Sequence, residues 1–322
     1  MIGRLGALAV SIFIAALAAT PARAEWPDHP IRWIVPFGPG GANDLIARVA
    51  ADAVGKRLGQ PVVIENRPGA GAVVGTAVVA KAKPDGYTFL ISAAGVITNS
   101  MLLKNLPYTD SELTPVGMIA VAPSVIVVHP SIPASNMKEF VAWAKTQGDK
   151  GITWATAGSG STPHFVVEMI KEATGIPITI VPYRSGSDGV NAVLSNSVAA
   201  TSEASIVVIP QIKAGSLKAI ATTYEKRISS YPSLPTTAEQ GYPGVRIGHW
   251  AGLYAPRDTP KPIIERMNAE LQAALKSEEV KAKLVPSGIE TAEGSIADFV
   301  AFTTAERARL GTLAEKAKMG EQ

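Results

Sequence analysis

The sequence predicts an α/β protein in two domains, with mainly parallel sheets flanked by helices. Three observations carry this. Short apolar runs alternate with segments of helical periodicity along almost the whole chain, and such alternation places crossover helices on both faces of parallel sheets. Three of the strand-to-helix connections are small-residue turns, at 37–44, 156–164 and 183–189. Setting a targeting segment of 24 residues aside from 322 leaves 298, enough for two domains with cores of their own.

The targeting segment has a basic start at Arg4, an apolar run from Leu5 to Leu17, and Ala22-Arg23-Ala24 as a small-residue cleavage site. The run is too short to span a membrane, and no later stretch is long and apolar enough. Cleavage is expected after Ala24, giving an exported, periplasmic chain that starts at Glu25. Losing Arg4 and Arg23 takes the formal charge from +3 to +1, because the segment holds no acid. That near-neutral balance argues against a nucleic-acid partner, which would want a concentrated basic face. The chain has no cysteine, which excludes disulfides, a thiolate nucleophile and a lipid-anchored cysteine.

The elements are expected in the following order. Ile31, Trp33, Ile34 and Val35 form a buried strand stopped by Pro36. Gly38, Gly40 and Gly41 make the turn, and Asn43 or Asp44 caps the helix through Leu58. Residues 61–65 form a strand, 71–83 a small-residue helix, and Pro84-Asp85-Gly86 a turn. Residues 87–92 form a strand followed by a small polar stretch, 93–99. Two apolar runs, 113–122 and 124–128, precede a helix at 137–146 and a strand at 152–156. A helix over 165–173, strands at 178–181, 198–202 and 217–223, and helices ending at Leu194 and at Ala214 complete the middle of the chain. Residues 249–255 are strand-like, and helices over 263–276, 278–285 and 296–316 form the tail. In such sheets ligands sit at the carboxyl ends of strands, where the small-residue turns lie.

Catalytic patterns are poor. There is no G-x-S-x-G elbow and no phosphate-binding G-x-x-x-x-G-K-[ST], and a dinucleotide fingerprint begun at Gly158-Ser159-Gly160 fails at Pro163. The histidines, His29, His129, His164 and His249, show no metal-pair spacing. The expectation is therefore a protein with no cofactor and no metal. Glycine turns feeding helix N-termini offer converging N–H donors and positive dipole ends, which suit an anion; the alternative is ordinary strand–helix connections. Arg184 suits a bidentate carboxylate pair or a solvated role. Asp188 and Glu203 either face a ligand amino or hydroxyl group or merely cap and solvate. Trp33, Trp154, Trp250 and Tyr254 read as core.

These residues carry a resemblance. Trp26-Pro27, Pro36-Phe-x-Pro-Gly-Gly-x-x-Asp44, Glu65-Asn-Arg-Pro-Gly-Ala-Gly71, Pro84-Asp-Gly-Tyr87, Ala157-Gly-Ser-Gly-Ser-x-x-His164, Val181-Pro-Tyr-Arg184, Ile209-Pro-Gln-Ile212 and Gly252-Leu-Tyr-Ala-Pro256 span nearly the whole mature chain. Together they resemble the periplasmic solute receptors of tripartite tricarboxylate transporters, the Bug-type binding proteins. The resemblance implies a two-lobed type II periplasmic-binding-protein-like fold, with 25–122 and 248–322 in lobe 1 and 123–247 in lobe 2. It implies a monomer that closes on a small organic carboxylate and serves the membrane subunits of such a transporter. It nominates Phe37, Gly38, Gly41, Asn43 and Asp44 from the first turn and Ala93 and Ala94 from the next strand end. From the later turns it nominates Ser159, Ser161, Thr162, His164, Ser187 and Asp188. Two departures stand out: Ser185-Gly-Ser-Asp-Gly189 replaces a Gly-x-x-Pro-Ala segment, and Glu203 stands where aspartate is common. The rival expectations are a ligand sensor for a two-component receptor and a serine hydrolase using Ser159 or Ser161 with His164.

Overall fold

The structure is a computed structural model that describes residues 26–321; the expected targeting segment lies outside the described residues. Five strands build the first sheet: β1 (Ile31–Val35), β2 (Val62–Asn66), β3 (Thr88–Ser92), the first part of β4 (Leu113–Val128) and β9 (Gly248–Pro256), with the short β10 (Glu290–Thr291) added on β4. The rest of β4 joins β5 (Ile152–Thr156), β6 (Ile178–Pro182), β7 (Ala200–Ala204) and β8 (Lys218–Thr222) in the second. The outer strands are parallel, as alternation predicts: β1 with β2 and β3, and β5 with β6 and β7. β4 and β9 run antiparallel to their neighbours. The two apolar runs at 113–128 form one strand, 16 residues long, shared by both sheets. Its partner changes near Pro123, where β9 gives way to β7 and β8.

Helices follow strands as expected, with shifted ends. α1 (Ala42–Leu58) buries Ile46, Ala47, Ala50, Val54 and Leu58 and stops at Gly59, whose φ of 70° is left-handed. Its N-cap is Gly41, so Asn43 and Asp44 sit inside the first turn rather than at the cap. α2 (Val73–Ala80) covers β1 and β3. The small polar stretch after β3, given no element from sequence, is a helix, α3 (Ala94–Leu102). Its Gly, Thr, Asn and Ser residues are poor helix formers, but nearly all of it is buried, and packing overrides propensity. Thr98 bonds back to the Ala94 carbonyl, and Asn99 reaches the Gly71 carbonyl at 3.0 Å.

In the second half, α4 (Met137–Lys145), α5 (Thr162–Thr174), α6 (Gly186–Leu194) and α7 (Ser205–Lys213) flank the sheet. α8 (Lys261–Leu275) and α9 (Glu278–Leu284) return to α1. α10 (Ile296–Lys316) is opened by a capping box of Ser295 and Asp298. Its Phe299 meets the edges of Trp250 and Tyr254, with centroids 6.1 and 5.2 Å away. Trp250, Gly252 and Tyr254 share one face of β9, as their spacing predicts. A methyl group on Gly252 would meet Phe299 at 2.2 Å, which explains the glycine. Further along, Leu310 and Ala314 of α10 join the core around Trp154 and Phe165. One helix thus packs on the cores of both sheets. Trp33 and Trp154 are buried as expected.

Candidate functional site

The carboxyl ends of the strands from both sheets surround one cavity. On the first-sheet side it is lined by Phe37, Gly41, Ala42 and Asn43, by Ala93, Ala94 and Gly95, and by His249. On the other side stand Ala157, Ser161, Thr162, Pro163, Gly186 and Glu203. Gly41–Asn43 begin α1, Ala93–Gly95 begin α3, Ser161–Pro163 begin α5 and Gly186 begins α6. Four helix N-termini, two from each sheet, therefore meet at one space. Their first-turn N–H groups have no partner within the helix, and their dipoles add positive potential. Small residues let the backbone itself form the wall. Among the described residues, no lysine or arginine lines the cavity.

Of the residues nominated from sequence, Phe37, Gly41, Asn43, Ala93, Ala94, Ser161 and Thr162 come together here. The others stand elsewhere. Asp44 is turned away: its carboxylate accepts from Gly40 N at 2.9 Å, from Asn66 Nδ2 at 2.9 Å and from Arg48 through both oxygens. It ties the turn to β2, and these donors hold it ionised below the usual aspartate range despite the cost of burial. His164 Nδ1 accepts from Gly160 N at 3.1 Å, and its other nitrogen faces Glu168 at 3.9 Å. Its ring orders the second turn, and burial lowers its pKa.

Gly38, Arg184 and Ser187 join the two halves. Gly38 N donates to the Arg184 carbonyl at 3.1 Å, and Ser187 Oγ donates to the Pro39 carbonyl at 3.0 Å. The Arg184 side chain is exposed. Asp188 is exposed too, in the first turn of α6, where its amide donates to the N-cap hydroxyl of Ser185. Ser159 offers its backbone: a methyl group on Gly71 would lie 2.4 Å from its carbonyl oxygen. Ser161 Oγ donates to the Gly158 carbonyl at 2.6 Å, and His164 Nδ1 is taken by Gly160 N.

The residues missed from sequence are Ala42, Gly95, Ala157, Pro163, Gly186 and His249, and Glu203, left open between facing a ligand and solvation, also lines the cavity. The small ones carry no sequence signal, because they act through backbone. Glu203 had one: an acid in the otherwise small, uncharged strand Ala200–Ala204. It is buried, and Oε1 accepts from Ala204 N at 2.8 Å. Burial pushes its pKa up to about 7. His249 stands opposite, with Nε2 3.4 Å from Glu203 Oε1 and no hydrogen-bond partner. Burial pushes its pKa down to about 3, so it is neutral at physiological pH and the contact is not an ion pair.

The family model described as "Tripartite tricarboxylate transporter family receptor" matches residues 46–319. Protein BugT of Bordetella pertussis is 35% identical over 287 residues, 88% of each chain. Among solved structures, a Rhodopseudomonas palustris protein with adipate, Rpa4515, is similar with a TM-score of 0.88 and 32% identity, over 91% of this chain and 99% of the other. MatC from the same species with bound malate gives 0.85 and 28%, over 89% and 99%. The two-lobed fold expected from sequence is therefore that of periplasmic binding proteins. The chain belongs to the tripartite tricarboxylate transporter receptor family.

Proposed function

We propose that this protein is a periplasmic receptor that captures a small organic carboxylate between two lobes and presents it to the membrane subunits of a tripartite tricarboxylate-type transporter. One observation carries the reading: two helix N-termini from each sheet converge on a single cavity with no lysine or arginine in its wall. Aligned amides and dipoles hold an anion there without a cationic side chain. The relatives with malate and adipate support a carboxylate ligand.

In this reading Gly41, Asn43, Ala93, Ala94, Ser161 and Thr162 face the ligand, and Phe37 covers it. Gly38, Ser159, Arg184 and Ser187 act in closure, through backbone or hydroxyl. Residues 25–122 and 248–322 form lobe 1 and 123–247 form lobe 2, with the end of α10 reaching across. The receptor is a monomer, performs no chemistry, and is exported by a segment cleaved after Ala24. Calorimetry against aliphatic and aromatic mono-, di- and tricarboxylates tests this. Saturable binding of at least one is expected; no heat with any overturns the reading.

A further inference from the structure

The cavity wall is positive in character except at one place. Glu203, at the end of β7, brings a carboxyl group to a space bounded mostly by small residues and helix amides. One of its oxygens has the Ala204 amide. The other, Oε2, lies against Gly186 so closely that a methyl group there would sit 1.7 Å away. No hydrogen bond to Oε2 exists among the described residues. His249 Nε2, 3.4 Å from Oε1 on the opposite wall, is buried without a hydrogen-bond partner. A buried polar nitrogen left unsatisfied costs stability unless something else satisfies it.

We propose that Glu203, with His249, selects the far end of the ligand, and that the ligand is a carboxylate whose second polar group is a hydrogen-bond donor, hydroxyl or ammonium, rather than a second carboxylate. This rests on the carboxylate reading above and specifies it further. The helix N-termini hold the first carboxylate. A second would meet an acid with no lysine or arginine in the cavity wall to offset it. A donor instead satisfies Glu203 Oε2: an ammonium gives one hydrogen to Glu203 and a second to neutral His249, whereas a hydroxyl gives its single hydrogen to Glu203 and accepts from the His249 Nε2–H tautomer.

Glu203 and His249 are the titratable groups in the wall. The nearby acid Asp44 is committed to Arg48, Asn66 and Gly40, and His164 to Gly160. With Glu203 titrating near 7, it is ionised at pH 8 and largely protonated at pH 6. Donor-bearing ligands therefore bind more tightly as pH rises through about 7, and dicarboxylates more weakly.

The test is calorimetry at pH 8 and pH 6 with chain-length-matched sets from three to six carbons: the dicarboxylate, the ω-hydroxy acid and the ω-amino acid. At pH 8 the best hydroxy or amino acid binds at least about tenfold more tightly than the matched dicarboxylate, the scale of a hydrogen bond to a charged group. At pH 6 the gap narrows. Glu203→Gln, checked for folding by circular dichroism, abolishes the gap at pH 8. A dicarboxylate that binds best to the wild-type protein at pH 8 overturns the inference without any variant. So does an unchanged ranking in folded Glu203→Gln. If no member binds while another carboxylate does, the inference falls and the receptor reading stands; if no carboxylate binds, both fall.

Discussion

Glu203 and His249 show how burial sets charge at the scale of single residues. Their shifts have opposite effects on stability. Glu203 ionises near 7 when folded, against an ordinary value of 4.5, so it destabilises the fold progressively as pH rises between those values. His249 protonates near 3 when folded, against 6.5, so stability falls as pH drops from 6.5 towards 3. Between 4.5 and 6.5 the two slopes oppose each other. Glu203→Gln removes one of them. Denaturant unfolding should then show the variant gaining on wild type as pH rises, by on the order of 3 kcal/mol at pH 8. Asp44→Asn has the opposite sign, since the wild-type carboxylate is held below its ordinary pKa by Arg48, Gly40 and Asn66. Its loss should destabilise by about 2 kcal/mol at pH 7, shrinking as pH falls through the aspartate range. Glu203 was visible in the sequence as an acid in a small-residue strand, but an isolated acid reads equally as a solvated edge. Only burial separates the two.

Elements place the site by where they begin. Four helices start at strand ends, and their first residues are small because backbone, not side chain, forms the wall. Three of the four were legible as glycine and serine turns. The fourth, α3, was not, since its sequence has low helix propensity and only packing holds it. Close backbone approach explains the glycines between the halves. Gly71, at φ 59°, abuts the Ser159 carbonyl. Gly71→Ala should leave each half folded but obstruct their approach, weakening all ligands together by about tenfold or more in calorimetry. At the other end of the chain, the Ser295 hydroxyl accepts from Asp298 N at 3.2 Å to start α10. Ser295→Ala should cost about 1 kcal/mol, read as a lowered thermal midpoint with ligand ranking unchanged.

For the whole molecule, function depends on two sheets sharing one long strand. β4 runs through both halves, and bonds such as Gly38 N to the Arg184 carbonyl and Ser187 Oγ to the Pro39 carbonyl join their rims. A ligand touching both halves stabilises this closed arrangement in proportion to its differential affinity. Ser187→Ala removes a rim bond and no wall contact. It should raise Kd for every ligand by one common factor of about threefold. A change confined to one ligand would make Ser187 a direct contact instead. Small-angle scattering should show the radius of gyration falling when ligand is added.

The sequence by itself determined the family, the alternation that makes the outer strands parallel, and the small-residue turns that open three of the helices. These are local or periodic features, written in neighbouring residues. Only the tertiary structure decided that residues 113–128 form one strand serving two sheets, that α3 is helical, and that Asp44 and His164 brace turns while Glu203 and His249 face the cavity. Each of those outcomes turns on contacts between residues far apart in the chain: burial, a neighbouring backbone, or a partner across the cleft. A side chain's sequence neighbours do not reveal them.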